Sequence, residues 1–257
     1  MAGMNVLSID ITEKSFPTDA GRSVGGLRGE PRRTVLRDVV LRVEEGRFLS
    51  ILGPSGCGKT TLLNLIAGLD TDFRGRIVLQ PRAGGRAPRV GYVFQNPTLL
   101  PWRTVIENLR LMMRPDQIAR GLDLSLLRAM YLIDYRDAYP KSLSLGTSRR
   151  VALARAFAIE PDLLLMDEPF VSLDEHTADE LRALLMRTWR EMRTTVMFVT
   201  HDSREAIRLA QRVIVLGGSP ASVIVDSPVN LTFEQRTDPL QIEALRRELL
   251  PPRASGP

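Results

Sequence analysis

Residues 53–60 read Gly53-Pro54-Ser55-Gly56-Cys57-Gly58-Lys59-Thr60, and a second threonine, Thr61, follows directly. The segment matches G-x-x-x-x-G-K-[ST], and its flanks make the match informative. Before it, RFLSIL (47–52) is a short apolar strand. After it, TLLNLIAGL carries apolar residues at helical spacing and stops at Gly68. A glycine-rich turn between a strand and a helix start lets backbone N–H groups converge on phosphate oxygens, with the positive helix end behind them. In that geometry the loop from Gly53 to Thr61 lines a nucleotide's phosphates. Lys59 reaches the β and γ phosphates, and Thr60 offers its hydroxyl to Mg²⁺. Stripped of its flanks, the same octet is only a glycine turn.

A second apolar strand ends in acid. Leu163-Leu164-Leu165-Met166 runs into Asp167-Glu168-Pro169. So apolar a strand has no reason to finish in paired carboxylates unless something cationic sits at its tip. Asp167 is the candidate for the Mg²⁺ shell, and Glu168 for the group that orients and activates an attacking water. The competing reading is an exposed acidic turn before Pro169.

Between and around these segments, residues 5–12 and 34–43 alternate apolar and polar, as half-buried antiparallel strands do. PTDAGRSVGGLRGEPRR, over about 17–33, has no apolar period and reads as a flexible insertion. RIVLQ and RVGYVF are two further strands, and residues 103–159 read mostly as helix, interrupted near Pro115, Gly121 and Pro140. From Asp162 the order is strand, helix, strand, helix, strand: DLLLMD, about 175–192, TTVMFVT, about 203–210 and RVIVL. Apolar strands alternating with helices imply a parallel sheet covered on both faces. The tail PPRASGP, 251–257, reads as disordered.

Composition excludes several classes. With 44% hydrophobic and 25% charged residues in 257, the chain has the make-up of a soluble globular protein. No apolar run approaches the roughly 18 residues that span a bilayer. The first residues, MAGMNVLSIDITEKS, lack the basic and apolar regions of a secretory signal. The expectation is a cytoplasmic chain, held at the membrane only by a partner. One cysteine, Cys57, excludes an internal disulfide and fits a reducing compartment. As a nucleophile it lacks a histidine nearby in sequence. The net charge of +5 and pI near 9.8 suit nucleic acid or an anionic surface, but the arginines are scattered among acids.

Taken in order, the motifs resemble those of ABC transporter ATPases over nearly the whole chain. Gln95, in YVFQNPTLLPW, stands where the family has its Q-loop glutamine, which contacts Mg²⁺ and water. LSLGTSRR (143–150) occupies the place of the signature motif. VALARAFAIEPDLLLMDEP is very like the family's run from signature helix to second acidic motif. Ser172-Leu173-Asp174 resembles the D-loop, and His201, after a strand, the switch histidine that contacts the γ-phosphate. Phe16 is placed like the aromatic that stacks on adenine. No N-K-x-D motif of a GTPase is present.

The resemblance implies an α/β fold: a single nucleotide-binding domain over 1–257, with a RecA-like parallel-sheet core, an N-terminal antiparallel β subdomain and a helical subdomain over about 97–160. It implies catalytic roles for Glu168, His201, Gln95 and Lys59. It implies metal contacts from Thr60, Gln95 and Asp167, with ATP and Mg²⁺ bound. In such ATPases one subunit supplies the phosphate loop and acids while the opposing subunit supplies the signature, here Ser144 and Gly146. ATP therefore joins two subunits, either two copies or this chain and a paralogue. The implied partners are transmembrane permease subunits and, indirectly, a solute-binding protein, with no nucleic acid, at the cytoplasmic face of the membrane. PTLLPWRTVIENLRL resembles the corresponding stretch of the nitrate/sulfonate/taurine importers, with Phe94, Leu99, Leu100, Pro101 and Trp102 in the permease-docking groove.

One departure stands out. The family's LSGGQ is here Leu143-Ser144-Leu145-Gly146-Thr147. If the first glycine position requires a left-handed backbone, Leu145 costs about 1–2 kcal/mol. This opens a second reading, a nucleotide-gated interaction module with weak or no turnover. A third, an ATPase acting on nucleic acid or ribosomes, has only the basic pI behind it.

Overall fold

The computed structural model describes residues 5–18, 32–81, 85–232 and 234–250. Residues 19–31 of the expected insertion and the whole tail 251–257 lie outside them. The chain divides into two compact units: Met1–Glu44, Leu49–Gln80 and Thr200–Pro257 in one, Glu45–Phe48 and Pro81–Val199 in the other.

In the first unit, β1 (Asn5–Pro17) pairs antiparallel with β2 (Arg32–Glu44) and with β4 (Arg74–Leu79). Their alternation buries Leu7, Ile9, Ile11, Leu36, Val39 and Leu41. β3 (Phe48–Leu52), buried throughout, runs parallel to β8 (Arg212–Gly218). β8 continues into an antiparallel β9 (Ala221–Pro228), which meets β2 where Leu36 faces Ala221. The order within this unit is β4-β1-β2-β9-β8-β3. α1 (Lys59–Ile66) follows β3, and α7 (Ser203–Leu209) and α8 (Pro239–Leu249) complete the unit. Leu52, Ile207, Val213, Val215, Ile242 and Leu249 share one buried cluster.

β9 and α8 extend the fold past the last strand expected from sequence. Both have local causes. Asp238 caps α8 by accepting from the Leu240 N–H at 2.8 Å, and Pro239 opens its first turn, where a missing N–H costs nothing.

In the second unit β5 (Val90–Val93), β6 (Leu163–Asp167) and β7 (Thr195–Thr200) pair in parallel, in the order β5-β6-β7. β6 is buried on both faces, so its continuous apolar run is a requirement of position. The Phe48 ring packs edge-on to Trp189 and Phe198, with centroids 5.3 and 5.5 Å away. The long helical stretch divides into α2 (Val105–Arg110), α3 (Pro115–Ala119), α4 (Leu122–Ala129) and α5 (Leu145–Ala158), and α6 (Glu175–Met192) follows β6. Pro115 begins a helix rather than breaking one. Residues 130–144 hold only short 3-10 turns, Ile133–Tyr135 and Pro140–Ser142, so the expected helix has a gap there.

One charged group is buried deep in the first unit. Lys14, 2% exposed, reaches Asp70 at 2.8 Å and donates to the Asp72 carbonyl at 2.6 Å. Burial works to raise the Asp70 pKa, but the hydrogen bond from Lys14, the Asp72 N–H and the Lys14 charge together bring it below its ordinary 3.8. A carboxylate with a depressed folded pKa contributes stability in full above the ordinary value and loses it as pH falls through the folded one. Asp70→Asn is therefore expected to cost about 2 kcal/mol at neutral pH, since it leaves a buried ammonium short of its counter-charge. In urea titrations between pH 6 and 2, the gap between the two proteins should close as the pH falls.

Candidate functional site

The glycine-rich loop Gly53–Thr60 spans the turn from β3 into α1. Gly58 stands at the helix start with φ 107°. A Cβ there would meet Val35 Cγ1 at 2.7 Å and Leu36 Cδ2 at 2.9 Å, so β2 itself forbids any side chain at this corner. Lys59, 5% exposed, turns its ammonium back along the loop and donates to the carbonyls of Gly53 at 2.9 Å and Pro54 at 3.0 Å. The Cys57 N–H donates to the Pro54 carbonyl at 3.3 Å. Pro54, Ser55, Gly56 and Thr60 are exposed, while Gly53, Cys57, Gly58 and Thr61 are half-buried.

Phe16 belongs to the same unit. In β1 it sits opposite Arg33 of β2, two residues from the Val35 that abuts Gly58. Its ring is partly exposed and carries the Lys14 ammonium 4.4 Å from its centroid. His201 is exposed and stands next to Asp202, the cap of α7. Its backbone is held on both sides. The Thr200 hydroxyl donates to Glu205 at 2.7 Å and accepts from the Asp202 N–H at 3.1 Å, while the Asp202 carboxylate caps the N–H groups of Arg204 and Glu205.

The acids lie in the second unit. Asp167 ends β6 and is 5% exposed; Glu168 follows at φ 45°, its N–H donating to the Val199 carbonyl at 3.0 Å. A non-glycine residue in the left-handed region is uncommon and persists only where its surroundings hold it. Tyr92 on β5 has its phenol pKa pushed up, first by burial and then by the Asp167 charge. The Tyr92 ring stacks on Phe94 at 4.1 Å. Gln95 is exposed just beyond β5.

The loop that follows Gln95 is pinned from two helices. Arg155 of α5 donates to the carbonyls of Pro97 at 3.0 Å and Thr98 at 2.9 Å, and to the Thr98 hydroxyl at 3.1 Å, where Thr98 has φ 46°. The fully buried Asn108 of α2 accepts from the Leu100 N–H and donates to the carbonyls of Leu100, Arg103 and Thr104. Neither residue was singled out in the sequence reading. Arg155 has no signature beyond being one arginine among many. Asn108 carried a hint, a polar residue on the apolar side of a helical pattern.

Ser144 caps α5, its hydroxyl accepting from the Thr147 N–H at 3.1 Å. Leu145 is the first helical residue and is absent from the left-handed set among the described residues; its side chain is exposed. The penalty foreseen for leucine at this position therefore does not arise. The constraint falls on Gly146 instead, where a Cβ would stand 2.5 Å from Thr177 Cγ2 of α6. Thr177 is itself tied to Asp174, the cap of α6, whose carboxylate pKa is lowered chiefly by accepting from the Thr177 N–H.

Residues 36–171, more than half of the chain, match the family described as ABC transporter. The chain belongs to the ABC transporter family. Aliphatic sulfonates import ATP-binding protein SsuB of Bacillus licheniformis is 40% identical over 248 residues, covering 95% of this chain and 92% of its own. The protein of the same name from Bacillus subtilis is 36% identical with the same coverage. An uncharacterized ABC transporter ATP-binding protein of Methanocaldococcus jannaschii is 40% identical over 85% of this chain and 84% of its own. Among solved structures, the ATP-binding cassette MJ0796 in a dimeric post-hydrolysis state, bound to ADP and Pi, has a TM-score of 0.71 at 29% identity. The match covers 88% of this chain and 100% of that one. A second dimeric structure of that cassette has a TM-score of 0.70.

This ABC subunit is an ATPase that binds ATP and associates with transmembrane partners of a transporter. No helix among its described residues is long and apolar enough to cross a membrane.

The contact at Gly146 is open to test. Gly146→Ala is expected to destabilise the ABC subunit by about 1–3 kcal/mol through overpacking. Adding Thr177→Ser, which removes the opposing methyl, should recover most of that in urea unfolding. Leu145→Gly should lower stability by up to about 1 kcal/mol, the usual cost of glycine in a helix.

Proposed function

We propose that this subunit hydrolyses ATP to drive import of an aliphatic sulfonate or a related compound of the nitrate/sulfonate/taurine group. The solute class rests on the sulfonate-import relatives at 36–40% identity over 95% of the chain. PTLLPWRTVIENLRL supports the same group. In this reading the whole chain is one nucleotide-binding domain at the cytoplasmic face of the membrane. Two such subunits close over ATP, as two copies or with a paralogue. A permease docks on the surface near Phe94, Leu99, Leu100, Pro101 and Trp102, of which Trp102 is the most exposed. A solute-binding protein delivers the cargo to the permease.

The observation that carries the ATPase reading is the loop corner at Gly58. A backbone-only turn backed by β2 delivers Lys59 and Thr60 to the start of a helix. Lys59 then exchanges its loop carbonyls for the β and γ phosphates, and the loop N–H groups from Gly53 to Thr61 bind the remaining oxygens. Phe16 stacks on adenine with the Lys14 cation behind it. Thr60, Gln95 and Asp167 offer a hydroxyl, an amide and a carboxylate oxygen, a hard donor set that suits Mg²⁺ with its waters and phosphates retained. When bound, the ion neutralises charge on the phosphates. Glu168 orients and deprotonates the attacking water, His201 hydrogen-bonds the γ-phosphate, and Ser144 with the N–H groups near Gly146 covers it from the opposing subunit. The helical backbone at Leu145 favours a working signature over a non-hydrolysing module.

Glu168→Gln is expected to lower Mg-ATP turnover by about 10²–10⁴-fold, the range of a general base, while light scattering still detects an ATP-dependent dimer. Lys59→Ala should lose both. Undiminished turnover in Glu168→Gln removes its assigned role. Leu145→Gly should change turnover by less than about threefold; a large gain would revive the interaction-module reading.

A further inference from the structure

Of the two consecutive arginines in α5, Arg150 points to an ordinary acid partner, Glu180. Arg149 does not. It is 5% exposed, and the partners of its guanidinium are main-chain carbonyls. Nη1 donates to the carbonyls of Glu168 at 3.3 Å and Pro169 at 2.7 Å, and Nη2 to that of Val171 at 2.7 Å. Nε is buried without a partner. Taking a guanidinium out of water to meet neutral carbonyls is costly.

The three carbonyls belong to the segment that leaves β6, which contains two non-glycine residues in the left-handed region, Glu168 at φ 45° and Ser172 at φ 63°. The Glu168 N–H is held by Val199 of β7, and its carbonyl accepts from Arg149 and from the Val171 N–H, each at 3.3 Å, so both of its main-chain polar groups are fixed. A planar fork with several donors suits three carbonyls spread over four residues; a lysine ammonium or a glutamine amide does not span them.

We propose that Arg149 is a positioning residue that locks Glu168 in its left-handed conformation and ties it to the helix start bearing Ser144 and Gly146. The inference rests on the reading of Glu168 as the water-activating carboxylate. In a dimer with shared sites, Glu168 serves one ATP while Ser144 and Gly146 of the same chain serve the other. Arg149, five residues after Ser144, therefore joins the two ATP sites through one side chain. Engagement of the α5 start at one site is felt at the Glu168 carbonyl in the other, which is a coupling between sites.

The test compares Arg149→Gln and Arg149→Lys with the unaltered protein in Mg-ATP turnover over a range of ATP concentrations. Melting temperature and equilibrium ATP affinity are measured alongside. The expected result is a fall in kcat of about 10–100-fold, the scale of a misplaced catalytic group. ATP affinity should stay within about twofold, and the Hill coefficient for ATP should drop toward 1. Arg149→Lys should recover melting temperature more than kcat or cooperativity, and it carries the test if Arg149→Gln does not fold. Unchanged kcat and Hill coefficient in either folded variant overturn the proposal. So does a parallel loss of affinity, stability and kcat, which marks a purely structural role. Glu168→Gln is run beside them. Its retaining turnover would overturn the reading of Glu168, whereas its losing turnover while the Arg149 variants keep theirs overturns the link alone.

Discussion

A phosphate group can be gripped by main-chain N–H groups only where the chain turns sharply with no side chain in the way, and this fold meets that condition at Gly58. The corner is tight because β2 presses against it: Val35 and Leu36 fill the space that any Cβ would need. At the same corner Gly58 takes a positive φ, α1 starts, and Lys59 turns back to the loop carbonyls. β2 is in turn paired with β1: Lys14 faces Leu36, the register shifts at Val35, and Phe16 faces Arg33 beyond it. The two β2 residues that press on Gly58 thus stand at the register shift that separates Lys14 from Phe16.

In the second unit the organising element is α5. Its N-terminus is the Ser144 cap and the Gly146 contact with α6. One and a half turns on, Arg149 reaches the chain leaving β6, and near the C-terminus Arg155 reaches the loop after Gln95. Three segments with proposed roles are thus bonded to one rigid helix of 14 residues. Two of them contain non-glycine residues in left-handed conformations, Glu168 and Thr98, each bound by an arginine from α5. A strained residue held by a guanidinium from the same helix thus occurs twice here.

Leu145 illustrates how position decides the cost of a substitution. Read as a string, LSLGT lacks the glycine that a flexible motif seems to need. In the folded chain that residue opens a helix, with ordinary backbone angles and an exposed side chain, and leucine is a good helix former. The next residue, one step along, has its Cβ direction blocked by the Thr177 methyl, so it is there that a side chain is costly.

The phosphate loop, the apolar strand ending in Asp167-Glu168, the helix 175–192 and the alternation of strands with helices were all legible in the linear order of residues. Each is written in local periodicity or in a short spacing that chemistry requires. β9 and α8 were equally local, in the alternation of Ala221, Val223 and Val225 and the spacing of Ile242, Leu245 and Leu249, yet they carry no motif to draw notice. The roles of Arg149, Arg155 and Asn108 were not legible, because an arginine that is buried and one that is solvated look the same in a helix until its neighbours are known. The sequence by itself marked the candidate residues for the chemistry, because they stand in short spacings and at strand ends. Tertiary structure alone decided which carbonyls those guanidinium groups reach, and that the Cβ direction is blocked at Gly146, because both depend on contacts made by strands and helices distant in the chain.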